Sequence, residues 1–302
     1  MIVLVGPTAS GKTELAAAVA ERLGGEVVSA DSRQVYRLLD AATAKPPASL
    51  RARVPHWLID VADPSETYDA ARFVREASAA LAGIRRRGKI PIVCGGTGLY
   101  VRALLEGLSP MPAGDPSIRA KLAAVAEFKG PAALHARLSE IDPAAAAAIP
   151  PGNRQRLVRA LEVFELTGRT ISSHWAEERT GGEKPSAVLR LDVEPDLLRG
   201  RIERRARSMW PKLLEEVGRL VPARLRGDEP GLTSLGYREA LDVLAGRSSP
   251  EEGLAAMTRA TLAYAKRQRT WFRTQIAAAS IPADSSPAQT LDLALRTLED
   301  LT

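Results

Sequence analysis

The segment VLVGPTASGKT, residues 3–13, has the residue types and spacing of a loop that wraps a phosphate: Gly6 and Gly11 bracket Thr8, Ala9 and Ser10, and Lys12 and Thr13 follow. The glycines let backbone N–H groups turn inward and the next helix starts electropositive, while Lys12 and Thr13 can reach phosphate and Mg2+. Nucleoside triphosphate hydrolysis on such a loop also needs an acid that ends a later strand and holds the metal. The later strand here, KIPIVCGG, ends in Gly95 and Gly96, which offer no side-chain ligand. The acid instead closes the second apolar run, at Asp31 of EVVSAD, a position suited to a substrate, although capping of the next segment, shared with Ser32, explains it too. Thr97, just past the glycine pair, offers a hydroxyl to the same crevice and is equally suited to capping a helix.

Three basic clusters come next. In GNRQRLVRALEVF, Gln155, Arg156 and Arg159 fall at helical spacing opposite Leu157, Leu161 and Phe164. RIERRARSM places Arg201 and Arg205 on one helical face. AKRQRTWFR interleaves Lys266, Arg267 and Arg269 with Trp271 and Phe272, a mixture suited to phosphate contact and to stacking on an exposed base. Each face alone reads equally well as a solvated surface.

The elements that must position these residues alternate. A strand over 2–5 leads into a helix over 14–23 that Gly24 and Gly25 stop; EVVSAD and VPHWLID read as strands; a helix over 69–87 puts Phe73, Ala77, Leu81 and Ile84 on one face; KIPIVCGG precedes a helix over 98–106. Alternation of this kind predicts an α/β fold, a doubly wound parallel sheet built on the phosphate loop, with ligands at the strand C-terminal ends. The run LSPMPAGDP marks a boundary. From there to about 164 the chain is helical without a convincing strand, and AVLRLDVEP then restores one, so residues 113–184 read as a helical insertion domain between core parts 1–112 and 185–302. Beyond 196 the chain is expected to be mostly amphipathic helix, including a long one around GLAAMTRATLAYAKRQRTWFRTQI.

The chain has 302 residues, 45% of them hydrophobic and 26% charged, so it is globular material with enough length for one large core and a smaller unit. Its 42 Lys and Arg against 36 Asp and Glu give +6, which favours a polyanionic partner. Cys94 is the single cysteine and reads as a small buried hydrophobe, and His56, His135 and His174 lack paired metal spacing. No window is apolar enough for a membrane span or signal core, so a cytoplasmic protein without a membrane partner is expected. Two other readings share these features: a kinase using ATP on the same loop, and an RNA-binding module without catalysis.

Taken together, GPTASGKT at 6–13, ADSRQVYR with TAKP at 30–46, GGTGLY at 95–100, RQRLVRALEVFELTG at 154–168 and SLGYRE followed by AKRQRTWFR at 234–273 resemble the tRNA dimethylallyltransferase family, in family order and over most of the chain. The resemblance implies transfer of a dimethylallyl group from dimethylallyl diphosphate to N6 of the adenosine 3′ of the anticodon, tRNA position 37, with Mg2+ as cofactor and release of diphosphate. It also implies that Gly6, Thr8, Ala9, Ser10, Gly11, Lys12, Thr13 and Arg205 hold the diphosphate, with Thr13 on the metal. Asp31, Thr97 and Arg201 would be catalytic, Asp31 accepting the N6 proton. The tRNA anticodon stem-loop would meet Asp31, Ser32, Arg33, Gln34, Thr97, Arg119, Gln155, Arg156, Leu157, Val158 and Arg159, and the protein would act as a monomer. The chain departs from the family in AATAKP, which commonly has a glycine before TAKP, and in PHW, where PHH is common. It also lacks the Cys and His set of the zinc finger that some eukaryotic members carry.

Overall fold

The computed structural model describes residues 1–301 apart from 226 and 228, and none of the side chains of 221–224, so residue 302, the expected end of the second core part, lies outside the described residues. Two units are present: Met1–Leu105 with Glu183–Thr302, and Glu106–Gly182. The insertion thus begins somewhat earlier than the proline-rich stretch suggests, because Leu108 and Thr180 pair their backbones at its base.

In the first unit the N-terminal part runs β1 (Ile2–Val5), α1 (Lys12–Leu23), β2 (Gly25–Ser29), α2 (Ala48–Arg53), β3 (His56–Trp57), α3 (Ala70–Arg86), β4 (Ile90–Gly95) and α4 (Gly98–Glu106). The second unit holds α5 (Pro116–Lys129), α6 (Pro131–Ile141), α7 (Pro143–Ala148), α8 (Arg154–Thr167) and α9 (Ile171–Ala176). The chain then returns to the first unit with β5 (Ala187–Asp192), α10 (Pro195–Arg224), α11 (Tyr237–Leu244), α12 (Pro250–Gln275), β6 (Ala279–Pro282) and α13 (Pro287–Leu301). The sheet is parallel throughout, in the order β3-β2-β4-β1-β5-β6. β6 was not expected, since AAASIPAD has neither alternation nor a long apolar run; it forms because β5 offers it an open edge. VPHWLID yields only the two-residue β3, because Leu58 and Asp60 take left-handed backbone and turn the chain away.

Side-chain alternation explains the layering. Val3 and Val5 point into one core with Val28, Val93 and the α3 stripe of Phe73, Ala77, Leu81 and Ile84, while Ile2 and Leu4 point into the other with Leu15, Val19, Ile92 and Leu189. β1 is therefore buried on both faces, as a central parallel strand requires. Cys94 is buried as expected, its thiol pushed up to about 12 by that burial. The strand ends meet at one edge, where a Cβ on Gly95 would lie 2.1 Å from the carbonyl oxygen of Ala30, so only glycine lets β2 and β4 run this close.

The second unit packs Leu122, Leu134, Leu138, Leu157, Leu161, Val163 and Ile171 into its own core. Glu162 sits among them, fully buried, and accepts hydrogen bonds from the Asp115 N–H at 2.7 Å and the Arg159 guanidinium at 2.6 Å, with Arg119 in a salt bridge at 2.8 Å. Burial alone would push this carboxyl up, but those bonds outweigh it and leave it below the usual glutamate range. Its contribution is complete above that range and fades only as pH falls through the depressed value. Glu162→Gln is expected to cost this unit about 3 kcal/mol at neutral pH and to remove the loss of stability that otherwise accompanies a fall in pH from the usual glutamate range down through the depressed value, both read by urea unfolding across pH.

Candidate active site

The loop between β1 and α1 reverses through two left-handed residues, Ala9 at φ 62° and Gly11 at φ 88°, and α1 starts at once with Lys12 and Thr13. Its backbone N–H groups and the helix N-terminus face the strand C-terminal ends. Lys12 Nζ donates to the carbonyl of Pro7 at 3.1 Å and Arg205 reaches the hydroxyl of Thr8 at 3.5 Å. Arg201, one turn before Arg205 on α10, donates to the carbonyl of Ala283 at 2.9 Å. Among the described residues none of these three cations has a salt-bridge partner.

Burial lowers the proton affinity of both Lys12 and Arg205, opposed at Lys12 by Cys94 and Asp31 and at Arg205 by Asp31 and Glu14. Two half-buried cations without a carboxylate partner, one on a backbone carbonyl and the other on a threonine hydroxyl, leave positive charge available to an anion. Ser10, whose hydroxyl is buried without a partner, belongs to the same loop.

Asp31 follows β2, with Oδ1 accepting the Arg33 N–H at 2.8 Å. The turn capping expected of Asp31 is thus present, and the second carboxylate oxygen is left to the pocket. Thr97 accepts the Ser32 N–H at 2.9 Å and so ties the β4 end to the Asp31 segment, while its own N–H bonds the carbonyl of Ala30 at 3.2 Å. Tyr264 of α12 places its phenol against that Thr97 hydroxyl; burial and the Asp31 charge push it up to about 12, so it stays protonated. A cavity of about 110 Å³ brings together Thr8, Lys12, Thr13, Asp31, Arg33 and Arg205, and its apolar share comes from Ala42, Ile202, Ala206, Met209, Leu235 and Met257. A larger one of about 550 Å³ runs along Ser10, Gly11, Lys12 and Thr13 past Arg201 to Ala283.

Gln268 was missed by sequence reasoning. It is buried, its Oε1 accepts the Thr8 N–H at 2.9 Å, and its Nε2 donates to the carbonyl of Gly96 at 2.8 Å, so one amide bridges the phosphate loop and the β4 end. The available signal was its place on the stripe of Met257, Ala265 and Phe272 along α12, where a polar side chain needs partners. The same stripe corrects the reading of AKRQRTWFR as a stacking surface. Phe272 is a core residue, and Trp271 packs against Gly98, where a Cβ would come within 2.4 Å of its ring. Lys266 and Arg267 remain exposed.

In the second unit Gln155 and Arg156 are exposed on α8, whereas Leu157 is buried and Val158 half-buried. Arg159 also bonds the carbonyl of Pro112 at 2.7 Å, so Arg159 and Arg119 are engaged inward around Glu162 and Gln155 and Arg156 form the open part of that face. Gln34 is buried, with Nε2 on the carbonyl of Ala44 at 2.9 Å, and Arg33 lines the cavity while donating to Thr233 at 3.0 Å.

A parallel doubly wound sheet, a loop that runs through left-handed backbone straight into the start of α1, and an inserted helical unit define an α/β protein with a cationic cavity beside a carboxylate. Comparison with known proteins gives the class its name. The family model described as IPP transferase matches residues 34–275, and the one described as isopentenyl transferase matches 1–61. The tRNA dimethylallyltransferase of Halorhodospira halophila (strain DSM 244 / SL1) is 47% identical over 290 residues, 94% of this chain and 93% of that protein. That of Anaeromyxobacter sp. (strain K) is 46% identical over 300 residues, 99% and 97% of the two chains. Among solved structures, the full-length tRNA isopentenylpyrophosphate transferase of Bacillus halodurans matches with 37% identity and a TM-score of 0.71 over 99% of this chain and 97% of that one. A eukaryotic dimethylallyltransferase acting on tRNA matches with 27% identity and a TM-score of 0.81 over 99% and 77%. The chain belongs to the tRNA dimethylallyltransferase family.

Gln268→Leu would keep the volume and leave the Thr8 N–H and the Gly96 carbonyl without partners. Affinity for inorganic diphosphate, measured by calorimetry, is expected to fall about tenfold or more.

Proposed function

We propose that this protein transfers a dimethylallyl group from dimethylallyl diphosphate to N6 of adenosine 37 in tRNA. The observation that carries this reading is the pair of half-buried cations without salt-bridge partners among the described residues, Lys12 and Arg205, in one cavity with Asp31. An allylic carbon bonded to diphosphate ionises in part, so the barrier lies mainly in charge growing on the leaving group. The loop N–H groups, Lys12, Arg205 and Arg201 stabilise that charge in a site with little water. The C–O bond breaks with its electron pair passing to diphosphate, the adenine nitrogen forms the new C–N bond, and its proton goes to Asp31. The N6 lone pair is delocalised into the ring, so orientation by Asp31 matters as much as proton transfer. Thr97 holds the Ser32 backbone and with it the Asp31 turn.

Mg2+ fits this site as a diphosphate-borne ion: Thr13 offers a hydroxyl, and among the described residues no three His, Cys, Asp or Glu side chains gather into a protein cage. When bound it supplies further neutralisation of the leaving group. Adenosine 37 is stacked in the anticodon loop and has to leave the stack to reach the carbon, at a cost of a few kcal/mol, roughly, recovered through contacts to the loop. Arg33 beside the cavity and the exposed Gln155 and Arg156 of the helical unit supply such contacts. No helix among the described residues is long and apolar enough to cross a membrane. The same reading makes the protein a cytoplasmic monomer.

The direct test incubates the protein with tRNA unmodified at position 37, Mg2+ and dimethylallyl diphosphate, and looks by nucleoside mass spectrometry for a five-carbon unit on adenosine. Consumption of ATP in place of the donor would instead favour a kinase. Asp31→Asn should lower single-turnover transfer by about a hundredfold or more with tRNA affinity retained; near wild-type transfer removes the proton-acceptor role. Arg156→Ala should weaken tRNA binding and flatten its logarithmic salt dependence by about one unit, whereas Arg159→Ala should act first on the stability of the helical unit.

A further inference from the structure

One family landmark, SLGYRE, touches the chemistry described above only through its first two residues. Its tyrosine, Tyr237, is fully buried at the start of α11, and the phenol donates to Oε1 of Glu216 at 2.6 Å. Glu216 lies on α10, three turns beyond Arg205, and is itself buried. Its Oε2 accepts the backbone N–H groups of Asp40 and Ala41, both at 3.0 Å. Among the described residues it has no salt-bridge partner, so its charge is satisfied by two loop amides and one phenol. Burial and the Glu216 charge both push that phenol upward, which keeps it a donor.

Those two amides open the segment Ala42–Thr43–Ala44, which forms one wall of the cavity. Another part of its lining, Ile202, Ala206 and Met209, belongs to α10, the helix that carries Glu216. The loop needs such a tether, because Leu38 at φ 67° and Ala44 at φ 53° hold left-handed backbone without being glycine. Its far end is fixed by Lys45, whose ammonium bonds Asp40, Asp60 and the Tyr36 carbonyl, and by Gln34 on the Ala44 carbonyl. Glu216 thus couples the position of one wall to the helix that supplies another part of the lining.

The geometry points to Glu216 and Tyr237 as positioning residues that set the width of the donor pocket and so decide which prenyl chain length the enzyme accepts. This rests on the prenyl-transfer reading. Neither side chain lines the cavity; both act through the backbone of 40–44.

The test uses the full chain with tRNA and either dimethylallyl diphosphate or the ten-carbon geranyl diphosphate. Glu216→Gln leaves one neutral acceptor oxygen where a carboxylate now serves three donors, and Tyr237→Phe removes the phenol while keeping both amide bonds. For Glu216→Gln the KM for dimethylallyl diphosphate is expected to rise about tenfold with kcat little changed, and the ratio of ten-carbon to five-carbon product to rise by a similar factor. Hydrogen exchange at the amides of 40 and 41 should quicken while that of β1 and β4 stays unchanged. Tyr237→Phe should show the same pattern more weakly, and it carries the test if Glu216→Gln does not fold. Unchanged KM and unchanged donor selectivity overturn the proposal, as does a uniform rise in exchange with kcat and KM altered together, which marks a role in fold stability alone. Wild-type protein that transfers neither donor would overturn the functional reading itself, a separate outcome.

Discussion

Holding Lys12 and Arg205 half-buried without a partner carboxylate costs free energy that the rest of the first unit has to supply. Their hydrogen bonds go to the Pro7 carbonyl and the Thr8 hydroxyl, and burial drives both toward the uncharged form. A salt bridge at either position would satisfy the cation from within the protein, and an arriving anion would first have to displace a carboxylate. Asp31, whose charge bears on both cations, has one oxygen committed to the Arg33 N–H and forms a salt bridge with neither.

Holding that geometry falls to a few tie-lines across strand ends rather than to the apolar core. Gln268 fastens the phosphate loop to the β4 end, Thr97 fastens the β4 end to the Asp31 turn, and Glu216 fastens the next loop to α10. Each is a polar group with its partners met, which in a buried setting is directional where apolar packing is not. Gly95 belongs to the same arrangement, since any side chain there would separate β2 from β4 and pull Asp31 away from the loop.

The helical unit shows the opposite use of charge. Glu162 is buried and draws Arg119 and Arg159 inward, so two arginines of an apparently basic face serve cohesion and leave Gln155 and Arg156 outward. Sequence periodicity separates polar from apolar faces, but it does not separate an arginine bound to a buried glutamate from one open to a polyanion.

Much of this protein is legible in the order of its residues. The phosphate loop, the glycine pair at the end of β4, Asp31 at the end of β2 and the α3 stripe depend on local spacing, and a parallel α/β sheet with an inserted helical unit follows from their alternation. Other features depend on residues far apart in the chain. Gln268 meets Thr8 across 260 positions, Glu216 meets Asp40 across 176, and Phe272 turns into the core from a motif that reads as a binding surface. β6 exists because an edge was open for it. Local spacing determined which groups are available for the chemistry; only the tertiary structure decided which of them are spent on one another and which remain for a ligand, because buried polar groups must find partners wherever the packing brings them.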